Sequence, residues 1–204
     1  MRNVGAIVLA AGGSVRFGRP KQLLLFRGES LVRRAVRAAV DGRCGRIAVV
    51  AGQERDLIES DLRETGAFVI HNPDWQHGIG TSIRRGLQHL IDAHPKADAV
   101  VLLVCDQPFV EARTVSALLT MQEDSGKPIV ASRYAHTLGV PALFDRTCFE
   151  ALLALPDDSG AKALIEARGG DVAEIEFGQG EVDIDTPADF EALGGSRAPP
   201  RDVN

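Results

Sequence analysis

Apolar residues in this chain fall into short unbroken runs, separated by longer stretches in which they recur every three or four positions. Residues 5–10, and 46–52 and 98–104 after their charged first residues Arg46 and Asp98, are apolar without alternation, as expected of strands in a parallel sheet covered on both faces. Further strands are predicted at 67–70, 128–132 and 172–177, with a short acid-bearing one at 182–185. Helical periodicity covers 30–39, where Ser30 is the cap, Leu31 and Ala35 point inward with Ala38 or Ala39, and Arg33, Arg34 and Arg37 point outward. It returns at 55–64, 112–124, 147–155 and 160–167, and in a helix capped by Thr81 or Ser82 that runs through Ile83, Leu87, Leu90 and Ile91. A last helix has Thr186 as cap and Pro187 at its first position. Segments 72–80 and 139–144 are rich in turn formers, and Pro20 makes 12–20 an extended loop.

Strands alternating with helices predict an α/β fold, a three-layer α/β/α sandwich around a mostly parallel sheet. At 204 residues the chain suits one domain, taken as 1–193, with a frayed tail from 194. A 45% hydrophobic and 25% charged composition is that of a globular protein, with no apolar run long enough for a membrane span. The net charge of -5 argues against a nucleic-acid surface, so useful positive charge must be local. Cys44, Cys105 and Cys148 lack metal or disulfide spacing. Reduced thiols, and a first strand that follows directly on Met1-Arg2-Asn3, lead to a cytoplasmic expectation.

Candidate chemistry sits where strands end. The run 5–10 opens into Ala11-Gly12-Gly13-Ser14, with Arg16, Arg19 and Lys21 close behind. A buried strand leading to a glycine turn flanked by cations suits a polyphosphate. The spacing is not that of a dinucleotide fingerprint, because after Gly12-Gly13 the next glycine is Gly18. Nor is it a P-loop, because Arg19-Pro20-Lys21 follow Gly18. The most hydrophobic strand delivers Asp106-Gln107-Pro108 at its carboxyl end, the edge at which open α/β sheets bind ligands.

Leu9-Ala10-Ala11-Gly12, Ser14, Arg16, Gly18 and Lys21 together resemble the signature of the MobA-like nucleotidyltransferase superfamily, which has a Rossmann-like fold. Asn72, Trp75, Gly78, Ser82 and Ile83 match a second block of that superfamily, and Asp106-Gln107-Pro108 a third. Gly139-x-Pro141-x-Leu143-Phe144, residues 158–162 and Asp185-Thr186-Pro187 continue the series in order. The resemblance spans about residues 4–193 and leans toward molybdenum cofactor cytidylyltransferases, because Ala11 stands where the guanylyl branch tends to glycine. Val15 departs from the basic residue often found there, and Pro20-Lys21 also occurs in branches with other acceptors.

The resemblance implies transfer of CMP from CTP to the molybdenum cofactor, with Mg2+ as the metal. Transient contact with molybdoenzymes or their chaperones is a further implication. Leu9, Ala10, Ala11, Gly12, Gly13, Ser14, Lys21, Asn72, Gly78, Ser82 and Asp106 would bind nucleotide. Arg16, Lys21 and Asp106 would be catalytic, and Asp106 and Asp185 would hold the metal, with Asp183 as the rival to Asp185. Each has a plainer reading. Asp106 and Asp185 could cap neighbouring elements, Arg16 and Lys21 could be solvated, Ser82 could be a cap, and Trp75 a loop anchor. A nucleotidyltransferase with another base or acceptor, and a non-catalytic CTP-binding module, stand beside the cytidylyl reading.

Overall fold

The computed structural model describes residues 3–13, 17, 18 and 20–194. Ser14, Arg16 and Arg19 and the expected tail from 195 onward lie outside the described residues. In chain order the elements are β1 (Val4–Ala10), β2 (Leu25–Phe26), β3 (Glu29–Ser30), α1 (Leu31–Asp41), β4 (Arg46–Ala51), α2 (Arg55–Asp61), β5 (Phe68–His71) and α3 (Ile79–Ala93). They continue as β6 (Ala99–Val104), α4 (Ala112–Ser125), β7 (Ile129–Tyr134), β8 (Thr137–Asp145), α5 (Phe149–Leu153), α6 (Ala161–Ala167), β9 (Val172–Glu176) and α7 (Pro187–Ala192).

Seven strands form one sheet in the order β5-β4-β1-β6-β8-β7-β9, and β8 runs against both its neighbours while the remaining pairs are parallel. The unbroken apolar runs have the expected cause. Ala6 and Val8 of β1 belong to one core with Val32 and Val36 of α1 and Leu118 of α4, while Ile7 and Leu9 belong to the other with Ile83 and Leu87 of α3. Burying both faces of a strand removes any use for polar alternation. The α/β/α layering and the Rossmann-like class therefore hold.

Several local expectations need correcting. The stretch 139–144, read as a turn, is the heart of β8. Its register against β7 shifts between Ala131 and Ser132, so that Ala142 faces Ala131 but Gly139 faces Ser132. Pro141, whose preceding peptide bond is cis, falls within that irregularity, where a missing N–H breaks no ladder. Arg34 does not point outward: it is 7% exposed, with its guanidinium 5.1 Å from the centroid of Phe26. Phe26 comes from the β2–β3 hairpin, which the apolar pattern misses because each strand has two residues. Its turn uses Arg27 and Gly28, both at positive φ. Residues 182–185 form no ladder, and α3 is capped by Gly78 rather than by Thr81 or Ser82. Gly78 sits at φ 135, and the Thr81 hydroxyl donates to its carbonyl at 2.7 Å. The Ser30 cap on α1 and the Thr186 capping box on α7 are as expected.

Candidate active site

The chain leaves β1 toward β4 and β5 on one side, whereas β6 lies on the other, so the direction of winding reverses between β1 and β6. Crevices at such reversals, beyond the carboxyl ends of the strands, are where open α/β sheets take ligands. Leu9 pairs with Val104 in register, which brings the Ala11-Gly12 turn alongside Cys105-Asp106.

A short 3-10 turn, Lys21–Leu23, follows Pro20 and directs Lys21 across this crevice. Its Nζ lies 2.8 Å from Asp106 Oδ2, 3.2 Å from Asp185 Oδ1 and 3.4 Å from the Ile184 carbonyl. The Ile184 N–H in turn donates to the Asp106 carbonyl at 3.0 Å, fastening the late segment to the exit of β6. One ammonium thus bridges carboxylates that are 79 residues apart in sequence. Asp185 does not cap α7; its side chain goes to Lys21 and the cap is Thr186.

The electrostatics follow from crowding. Burial alone would lower the Lys21 pKa, but the charge and hydrogen bond of Asp106, with help from Cys105 and Asp185, outweigh it and move the ammonium upward. Burial, joined by the charges of Asp106 and Asp185, pushes Asp183 up to about 6. Three carboxylates therefore share a region with one lysine, a surplus of negative charge that favours a cation.

A cavity of about 210 Å³ opens beside the triad, lined by Ala11, Gly12, Lys21, Trp75, Ser82 and Asp106 among others, with Leu9 also in its wall. Trp75 forms one side. A Cβ on Gly13 would stand 2.6 Å from the indole, and one on Gly52 would meet both the indole at 2.9 Å and the Ala11 carbonyl at 2.7 Å. Gln22, 1% exposed, donates from Nε2 to the carbonyls of Ala10 at 2.9 Å and Gly12 at 2.6 Å. Because trans peptides hold N–H opposite C=O, this turns the N–H groups of Ala11 and Gly13 away from Gln22.

Leu9, Ala11, Gly12, Lys21, Ser82 and Asp106 are thus gathered at one cavity, whereas Ala10 and Gly13, their chain neighbours, do not line it. Asn72 and Gly78 stand back from its wall. Asn72 is 2% exposed and donates from Nδ2 to the hydroxyls of Thr81 at 2.9 Å and Ser82 at 3.0 Å. Gly78 lies against the 157–158 backbone, with Asp157 O 2.3 Å from where a Cβ would be. Ser14 and Arg16 lie outside the described residues. Sequence reasoning overlooked Gln22 and Gly52. A glutamine directly after the signature lysine, and a glycine at the exit of a neighbouring strand, were the available signals. A wider, shallow cleft of about 590 Å³ that includes His77, Arg84 and Arg85 contains none of Lys21, Asp106 and Asp185.

Among the described residues no group of three or more His, Cys, Asp or Glu side chains is placed to hold a metal ion, and no helix is long and apolar enough to cross a membrane.

A glycine turn, an amine and converging carboxylates at the switch point of a Rossmann-like sheet define a nucleotidyltransferase class of site. The chain belongs to the family of the MobA-like NTP transferase domain, whose model matches residues 6–172. It is 28% identical over 200 residues to purine catabolism protein PucB of Bacillus subtilis, covering 92% of this chain and 94% of that one. It is 24% identical over 191 residues to the molybdenum cofactor cytidylyltransferase of Escherichia coli, covering 93% and 95%. The crystal structure of Rv0371c from Mycobacterium tuberculosis superposes with a TM-score of 0.82 at 29% identity, covering 94% of this chain and 97% of that one. A complex of Rv0371c with manganese gives 0.77 at 27% identity over the same shares.

Proposed function

We propose that this nucleotidyltransferase moves CMP from CTP to the molybdenum cofactor, releasing pyrophosphate and forming the cytosine dinucleotide. The observation that carries the catalytic part is the Lys21 ammonium held between Asp106 and Asp185 beside the Ala11-Gly12 turn. The molybdenum acceptor is supported by the Escherichia coli relative, and the choice of CTP by Ala11, which lines the cavity and stands where the guanylyl branch tends to glycine.

The N–H groups of the glycine turn bind the triphosphate, and Trp75 walls the base side of the cavity. A phosphate oxygen of the acceptor, already ionised near neutral pH, attacks the α phosphorus. The bond from that phosphorus to the bridging oxygen of the β phosphate breaks, and its electron pair leaves with pyrophosphate. No strong base is required, in keeping with a crevice built from an amine and acids. Lys21 offsets the charge that grows on the leaving group. Arg16 is assigned the same work, and Ser14 a place on the phosphates, by the resemblance alone.

Asp106 and Asp185 fit a hard divalent cation: they are oxygen donors that already converge on one positive charge, and phosphate oxygens and waters complete such a shell. The manganese complex of a relative supports a divalent ion, and Mg2+ is the one proposed. Bound there, it supplies charge neutralisation on the phosphates.

The test is pyrophosphate release with CTP, GTP or ATP and Mg2+, with and without molybdenum cofactor. Release that needs both CTP and the cofactor is the expected result. A preference for GTP overturns the cytidylyl assignment, and indifference to the cofactor overturns the acceptor. Asp106→Ala, assayed alongside, should lower turnover by roughly 100-fold or more while the protein stays folded; near-normal turnover would remove Asp106 from the site.

A further inference from the structure

The three segments that bring Lys21, Asp106 and Asp185 together are anchored in a small core distinct from the two that flank the sheet. Leu24, Phe26, Leu31, Ile184 and Phe190 form it, with Phe109 packed against it. Leu24 is three residues beyond Lys21, Phe109 three beyond Asp106, and Ile184 adjacent to Asp185. Arg34 of α1 closes this core from the side. Its guanidinium lies over Phe26, which meets Phe109 edge-on at 5.8 Å, and its Nη2 donates to the Pro108 carbonyl at 2.9 Å. It is therefore a polar tie between α1 and the Asp106-Gln107-Pro108 turn.

We infer that Arg34 is a positioning residue for the metal-binding carboxylates: by fixing Pro108 and Phe26 it sets the approach of Asp106 to Asp185. The inference rests on the assignment of those two acids made above. Keeping a guanidinium here is costly: burial and the nearby Arg37 and Arg27 oppose its charge more than Glu29 and Glu111 support it, and its Nε is buried without a hydrogen-bond partner among the described residues. An apolar residue would fill the space without that cost, so packing alone does not account for the arginine. What only arginine provides is a planar group that stacks on a ring and donates along a fixed direction. Groups that orient metal ligands in this way typically change metal affinity or activity by roughly 10- to 100-fold when altered.

The test compares wild type, Arg34→Met and Arg34→Lys. Met keeps the length and apolar stem but has no donor, whereas Lys keeps a donor without the planar stack. Mn2+ affinity is read by the electron paramagnetic resonance of free Mn2+, together with kcat, KM for CTP and the thermal unfolding midpoint. The expected result for Met is Mn2+ affinity and kcat each down roughly tenfold or more, with KM for CTP held and the protein folded. Lys should recover part of both. Wild-type Mn2+ affinity in a folded Met variant overturns the inference. So does an equal loss in Met and Lys that tracks a lowered unfolding midpoint, which is the signature of a merely structural residue. Should Met fail to fold, Lys decides: weakened Mn2+ binding at an unchanged midpoint supports the inference, and unchanged Mn2+ binding overturns it. Failure of the site assignment looks different. There, Asp106→Asn leaves Mn2+ binding at the wild-type level, and the inference about Arg34 falls with it.

Discussion

Cys105 stands between β6 and Asp106, and its thiol is pushed up to about 12, chiefly by burial and also by the Asp106 charge. Burial pushes Cys44 to about 12 as well, from an ordinary value of 9.0. A thiol alkylates as its thiolate, so native protein at pH 8 should react with iodoacetamide far more slowly at Cys44 and Cys105 than urea-unfolded protein does, as read by mass spectrometry. Rapid labelling of native Cys105 would contradict its buried placement. The same shift has a consequence for stability. An acid whose pKa is raised on folding is protonated in the native state when it is already ionised in the unfolded one. These two thiols therefore favour the fold fully below about pH 9, and the advantage declines as pH rises from 9 toward 12. Urea midpoints across that range measure it, and Cys105→Ala should flatten the decline. Single-residue chemistry of this kind was legible in advance: a cysteine following Val104 in an apolar run reads as filler. What Arg34 does was not, because its burial depends on a hairpin two residues wide.

The first turn of α3 is held by contact rather than by a side-chain cap. Gly78 takes a φ that L side chains rarely adopt, and Gly80 faces the Pro156 carbonyl, which would lie 2.0 Å from an added Cβ. The contact is with backbone, so rotating a side chain offers no relief. Gly80→Ala should destabilise the protein by about 1–3 kcal/mol in urea unfolding and move Ser82 at the cavity wall, with a weaker KM for CTP as the second readout. Wild-type values in both measurements would show that the 156–157 segment yields freely. A sequence rich in glycine announces a loop at 72–80, yet only the approach of a distant segment explains which glycines are obligatory. Gly13 and Gly52 repeat the point around Trp75.

In the whole molecule, β8 reverses the sheet's direction and joins β6 to β7. Phe144, 0% exposed, lies at the centre of that junction, paired with Val100 on one side and Ile129 on the other. Phe144→Ala should cost about 3–5 kcal/mol in urea unfolding; a loss below about 1 kcal/mol would mean that β8 is peripheral to the cooperative core. The sequence by itself determined the layers and the strands buried on both faces, because unbroken apolar runs have no other low-energy place in a chain of this composition. It also determined where Lys21, Asp106 and the Ala11-Gly12 turn would gather, since strand ends and a glycine turn are local features. The tertiary structure alone decided that a proline-bearing stretch is a central strand, that Arg34 is inside, and that Lys21 lies between Asp106 and Asp185. Each of these depends on which distant segment becomes a neighbour. Local spacing carries no record of that choice, because the contacts that make it cross between elements far apart in the chain.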